Sequence, residues 1–205
     1  VQMGGWFNKE INSVEDLKGL VMRIPGFGGA VLERAGGTAY TLPGGEIFTS
    51  LQTGVIDATE WVGPYNDMAM GLHEAARYYY YPGWQEPGPT LETIINSEAW
   101  EKLPADLQVI VELACATIND QMTAEFTARN AEQLAVLQDD SAVEIREFPE
   151  EVLIELRKMT DELVNELVTS DPKAAKIYES FDAFRSKAKA WSAISEQAYM
   201  NTRNL

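Results

Sequence analysis

The chain has 205 residues, 45% of them hydrophobic, enough to bury a substantial core in one domain or in one domain with a helical extension. Its formal net charge of -16 repels phosphate backbones and anionic headgroups, which argues against nucleic-acid and polybasic membrane binding and requires any anionic ligand to be caught locally. A single cysteine, Cys115, and a single histidine, His73, rule out an intrachain disulfide and a His/Cys zinc site, whereas carboxylate-based sites stay open.

The opening run Val1-Gln2-Met3-Gly4-Gly5-Trp6-Phe7 has no initiator Met, basic leader or apolar signal core, and reads as a strand cut from a longer protein. Ser13 followed by Asp16 resembles a capping box, and Gly19 closes the helix it starts. Leu20-Val21-Met22-Arg23-Ile24 then reads as a strand stopped by Pro25, with Arg23 at its carboxyl end. A helix over 29–35 ends at Gly36-Gly37, and 39–42 is the next strand. Pro43-Gly44-Gly45 leads into a helix over 46–53, after which 55–61 reads as a strand with Glu60 and Trp61 at its end. A helix from Gly63-Pro64 runs to Ala76, and Tyr78-Tyr79-Tyr80-Tyr81 is aromatic enough for another strand. Trp84, Gln85 and Glu86 occupy a loop rich in Gly and Pro, and 91–96 suggests one more strand. These alternating units predict an α/β layer.

From Ser97 onward the pattern is helical. Leu107, Ile110, Val111, Ala114, Ile118, Met122 and Phe126 share one face of a long helix, and 143–148 interrupts as a short strand. Leu153, Leu156, Leu163 and Leu167 mark another helix, which Asp171-Pro172 ends and restarts. The last segment sets Ile177, Phe181, Phe184, Ala188, Trp191 and Ala198 on one stripe, which wants a partner. No stretch has the roughly 20 apolar residues of a membrane-spanning helix.

In open α/β sheets, ligands bind where strands end at their carboxyl edge. Three candidates share that place: Arg23, Glu60 with Trp61, and the Trp84 to Glu86 loop. An arginine can hold a carboxylate by two parallel hydrogen bonds. Glu60 and Glu86 together could offer oxygens to a hard cation such as sodium or calcium. Each residue also has a plainer reading: Arg23 as a strand-end charge or structural ion pair, Glu60 as a surface charge or salt-bridge partner, Trp61 as core, Glu86 as a solvated loop acid. His73, among small and apolar residues, reads as structural, and Gly26-Phe27-Gly28-Gly29 as a turn; it is neither a P-loop nor a dinucleotide fingerprint. No Gly-x-Ser-x-Gly elbow is present.

Asn12-Ser13-Val14-Glu15-Asp16-Leu17-Lys18-Gly19-Leu20-Val21-Met22-Arg23-Ile24-Pro25 resembles the segment that carries the carboxylate-binding arginine in TRAP transporter solute receptors. Leu42-Pro43-Gly44-Gly45-Glu46-Ile47-Phe48 and Gly54-Val55-Ile56-Asp57-Ala58-Thr59-Glu60-Trp61 are similar to the same family in order and spacing. Glu60-Trp61-Val62-Gly63-Pro64-Tyr65-Asn66-Asp67 and Tyr80-Tyr81-Pro82-Gly83-Trp84 resemble its branch that binds 2-oxo acids or lactate. The likeness implies an α/β fold of the type II periplasmic-binding-protein kind, a mixed sheet flanked by helices and followed by long C-terminal helices. It implies that Arg23 pairs with the substrate carboxylate. Glu60, the Trp61 carbonyl and Glu86 would hold a bridging sodium or calcium ion, Trp84 would wall the pocket, and Tyr65 and Asn66 would lie nearby.

It further implies a periplasmic receptor handing its ligand to TRAP membrane subunits, and a homodimer formed through the C-terminal helix. A secretion signal, the first lobe and a glutamine that helps hold the cation are expected ahead of the point where this chain starts. Residues 1–96 would then be the α/β ligand-binding region with its crossover strands, 97–170 the helical and short-strand completion of the lobes, and 171–205 the dimerisation helix. The alternatives are a metal-dependent enzyme acting on a small carboxylate with Glu60 or Glu86 as base, and a fragment serving only as an assembly module.

Overall fold

A computed structural model describes residues 2–203; Val1, at the start of the first expected strand, lies outside them. Residues 2–156 form one compact unit. Its centre is a six-stranded sheet in the order β3-β2-β4-β1-β5-β6, formed by β1 (Gly5–Phe7), β2 (Val21–Arg23), β3 (Thr38–Tyr40), β4 (Ala58–Thr59), β5 (Tyr78–Tyr81) and β6 (Glu144–Glu147). The sheet is mixed. β2 runs parallel to β3 and β4, and β5 to β6, while β1 lies antiparallel to both β4 and β5. The expected mixed sheet flanked by helices is therefore present.

Alternation along β1 and β5 builds the two faces of the sheet. Trp6 stacks on its cross-strand partner Tyr79, with ring centroids 4.0 Å apart, and heads a buried cluster with Ile47, Leu51, Ile56, Leu72 and Leu137. Phe7 and Tyr80 point the other way and pack edge-on and stacked, respectively, against Phe148. Burying each of these large side chains contributes roughly 2–3 kcal/mol, so the aromatic strands β1 and β5 anchor the sheet. Gly5 adopts φ +121°, and a Cβ there would lie 2.4 Å from the Thr59 carbonyl oxygen, so β1 can approach β4 this closely only with glycine.

Two helices cover the parallel strands: α1 (Gly26–Arg34) buries Val31 and Leu32, and α2 (Gly44–Gln52) buries Ile47 and Leu51. The expected helix over 13–19 is a short 3-10 turn, Val14–Leu17, in which the Asp16 carboxylate accepts the Ser13 N–H at 2.8 Å as the sequence signature suggests. The single helix expected up to Ala76 is divided into α3 (Pro64–Ala69) and α4 (Leu72–Ala75) by Gly71, which is left-handed at φ +72°. The strand expected over 91–96 does not form. That segment is exposed and pairs with no strand, although its apolar residues look strand-like in sequence.

After α5 (Ser97–Glu101), the long helix α6 (Ala105–Asp139) packs on α3 and exposes Leu107, Ile110 and Ile118 of its predicted apolar face; only Leu137 is fully buried. The helix α7 (Glu150–Ser170) buries Val152 and Leu156 in this first unit. Residues 157–203 belong to a second compact unit, made of the rest of α7, α8 (Pro172–Ile194) and α9 (Glu196–Thr202). Asp171 caps α8 by accepting the Lys173 N–H, and Pro172 sits at its first position, so the Asp-Pro signal does restart the helix. Ile177, Phe181, Phe184 and Trp191 of the apolar stripe are all exposed. Among the described residues no helix is long and apolar enough to cross a membrane.

Candidate functional site

Parallel pairing of β2 with β4 sets Arg23 beside Thr59, so Arg23 and Glu60 reach the carboxyl edge of the sheet together. The Glu60 N–H donates to the Arg23 carbonyl at 3.2 Å and locks that alignment. The Arg23 guanidinium pairs with Glu60 Oε1, donates to the Leu42 carbonyl at 3.4 Å, and lies 5.3 Å from the centroid of the Trp61 ring. Both charged side chains are nearly buried, at 11% and 5% exposure, which makes this a desolvated pair and not a surface salt bridge.

The antiparallel pairing of β1 with β4 brings in a residue from the start of the chain. It continues beyond the strands, with the Met3 N–H donating to the Val62 carbonyl at 2.9 Å, so Gln2 runs alongside the Glu60 to Gly63 turn. The Gln2 amide nitrogen donates to Glu60 Oε2 at 2.8 Å and to the Trp61 carbonyl at 3.0 Å, while its own Oε1 is buried without a partner. The sequence reading places a cation-holding glutamine ahead of Val1 and gives Gln2 no role; the structure sets Gln2 against Glu60 and Trp61. Nothing local marks it, because the contact spans 58 positions and depends on strand pairing.

Glu60 and Glu86 both line a cleft of about 420 Å³, closed by Ile24, the turn at the start of α1 and Gln85. Gln85 is tied to the Met3 carbonyl at 3.1 Å and, like Gln2, keeps a buried Oε1 without a partner. Burial pushes the Glu60 carboxyl up to about 7, with the charges of Glu86 and Asp67 adding to the rise and Arg23 opposing it.

The remaining expected residues divide. Trp84 is half-buried with its N–H on the Pro82 carbonyl at 2.9 Å, next to the cleft-lining Gln85 and Glu86. Tyr65 engages α6: its N–H donates to Asn130 Oδ1 at 2.9 Å and its ring meets Phe126 edge-on. Asn66 has a buried Oδ1 without a partner. The sequence reading gave Asp67 no role. Its carboxylate is buried and accepts from the Trp6 indole at 3.0 Å, the Tyr79 hydroxyl at 2.8 Å and the Val62 N–H at 3.0 Å. Burial raises its carboxyl to about 6 against those hydrogen bonds, which lower it.

Residues 1–171 match the family model described as bacterial extracellular solute-binding protein, family 7. The chain belongs to that family. It is 44% identical over 200 residues to a monocarboxylate 2-oxoacid-binding periplasmic protein of Nostoc sp., covering 98% of this chain and 55% of that protein. Two crystal structures of TRAP periplasmic solute-binding proteins superpose closely, each over 98% of this chain and 61% of theirs. That from Colwellia psychrerythraea, with bound calcium and pyruvate, is 44% identical at a TM-score of 0.91. That from Pseudoalteromonas atlantica, with bound sodium and pyruvate, is 45% identical at 0.92. The chain thus spans somewhat over half the length of the relatives it matches, and the family resemblance legible in the sequence is borne out.

The residues at the strand ends suit a hard cation such as the calcium and sodium bound in those two crystal structures. Among the described residues no three His, Cys, Asp or Glu side chains gather as a metal site, so carboxylates alone do not make one. Two carboxylates, the Trp61 carbonyl and an amide do offer the all-oxygen set that sodium and calcium prefer. The Gln2 amide already inserts its electropositive end between Glu60 and the Trp61 carbonyl, and a half-turn of that amide would add its orphaned Oε1 to the same group of oxygens.

Proposed function

We propose that this chain is the site-bearing part of a periplasmic TRAP-transporter receptor that binds a small 2-oxo or 2-hydroxy monocarboxylate of the pyruvate or lactate kind. The observation that carries the reading is the buried Arg23–Glu60 pair beside the Gln2 amide and the Trp61 carbonyl, in a chain 44% identical to a 2-oxoacid-binding protein. Arg23 is assigned to the ligand carboxylate. Glu60 pairs with the guanidinium and holds it oriented at the strand end.

Glu60, the Trp61 carbonyl, Glu86 and Gln2 are assigned to a sodium or calcium ion. Such an ion would supply the positive charge that lets a carboxylate ligand approach Arg23 beside two glutamates. Trp84 and Asn66 are assigned to the pocket wall; the buried, unpartnered Asn66 Oδ1 supports a polar role. Tyr65 is assigned there through its backbone position on α3, since its ring is committed to Phe126. The ligand leaves chemically unchanged, and delivery to membrane subunits follows from the family. The exposed apolar stripe of α8 supports dimerisation through the C-terminal helix.

Isothermal titration of the full-length protein with pyruvate and related 2-oxo and 2-hydroxy acids, with and without sodium or calcium, tests this reading. Cation-dependent binding, abolished in Arg23→Ala and returning intact ligand, is expected. Absence of carboxylate binding under any cation would overturn it, and conversion of the acid would replace the receptor with an enzyme.

A further inference from the structure

The peptide between Trp61 and Val62 is trans, so its carbonyl and its N–H point in opposite directions, and fixing one fixes the other. The Val62 N–H is held by Asp67 Oδ1 at 3.0 Å. On the far side of the same peptide plane, the Trp61 carbonyl faces the Gln2 amide at 3.0 Å. The other Asp67 oxygen is pinned by the Trp6 indole and the Tyr79 hydroxyl, from two stacked rings that are themselves wholly buried between β1 and β5. The Asp67 N–H donates to the Gly63 carbonyl at 2.9 Å, closing the turn from its other end. A carboxylate with three donors and an immobile mount is therefore coupled, through one rigid peptide, to one oxygen of the candidate cation site.

We propose that Asp67 is a positioning residue for the cation: it aims the Trp61 carbonyl, and the Trp6–Tyr79 stack aims Asp67. The inference rests on the cation assignment made above and deepens it. It also explains why a costly buried carboxylate stands in α3. An acceptor with two oxygens can satisfy the indole, the phenol and the Val62 N–H together, and an amide of the same shape cannot, because it would present a donor to donors. Outer partners that orient a metal's direct ligands set affinity by roughly 10- to 100-fold when removed.

The test uses terbium as a calcium substitute in the full-length protein, reading its affinity and, from luminescence decay in light and heavy water, the number of waters on the ion. Asp67→Asn is expected to weaken terbium by about tenfold or more and to add one coordinated water, because the Trp61 carbonyl swings out of range. Tyr79→Phe, which keeps the ring stack and removes one support of Asp67, is expected to fall between wild type and Asp67→Asn, and it carries the test alone if Asp67→Asn does not fold. A folded variant with wild-type affinity and hydration overturns the positioning role. Failure of the wild-type protein to take up terbium, calcium or sodium would instead overturn the cation assignment itself.

Discussion

Replacing Arg23 with methionine removes one member of a buried ion pair and leaves Glu60 facing only the Gln2 amide. The side chains are 11% and 5% exposed, so solvent screens the pair little. Stranding one charge of a buried pair costs about 3–5 kcal/mol. Losing the stack over Trp61 adds to that roughly 0.5–1 kcal/mol, since Arg23 lies 5.3 Å from the ring centroid. Two features favour the lower end: the Gln2 amide still donates to Glu60 at 2.8 Å, and burial already holds the carboxyl near 7, so Glu60 can shed its charge by protonation. A loss of about 3 kcal/mol is expected in urea unfolding, which for a chain of this size is a fall in Tm of roughly 6–12 °C. Adding Glu60→Gln to the methionine variant removes the stranded charge and should restore at least half of the loss. A loss under about 1 kcal/mol, or a double variant no more stable than the single one, would refute the buried pairing of Arg23 with Glu60.

Other consequences are open to direct measurement. Gln2→Ala should weaken calcium by about tenfold in titration calorimetry while leaving Tm within a few degrees; unchanged affinity would remove Gln2 from the site. Asp67 titrates near 6 in the fold against an ordinary value of 3.8. The unfolded chain therefore releases this proton first, and the contribution of Asp67 to stability falls by about 3 kcal/mol as pH rises from 4 to 6, then levels off. The stability of Asp67→Asn relative to wild type should rise by that amount across the same window, and parallel pH profiles would contradict it. Trp191→Asp together with Phe184→Asp should convert the proposed dimer to a monomer in light scattering without altering carboxylate affinity, and an unchanged mass would contradict dimerisation through the α8 stripe.

The strand-end rule puts Arg23 and Glu60 at the carboxyl edge of the sheet, where the structure has them, because strand, stop and helix signals repeat cleanly from Leu20 to Trp61. Gln2 and Asp67 were not legible for different reasons. Gln2 matters only through antiparallel pairing of β1 with β4, which no local pattern encodes. Asp67 reads as an ordinary acid in the first turn of a helix, and only the three donors around it reveal its environment. The contact of the Tyr65 ring with Phe126 on α6 was likewise not legible, because the two lie far apart in sequence. The segment 91–96 has the apolar content of a strand but lies exposed and joins neither edge strand, β3 nor β6.

The most direct test of the central claim is a pair of pyruvate titrations of the full-length protein, one with calcium present and one after chelation and dialysis into sodium-free buffer. Binding with calcium that weakens by at least about tenfold once cations are removed, and returns when calcium is added back, is the expected result. Equal affinity in both buffers would contradict a cation held by Glu60, Glu86, Gln2 and the Trp61 carbonyl.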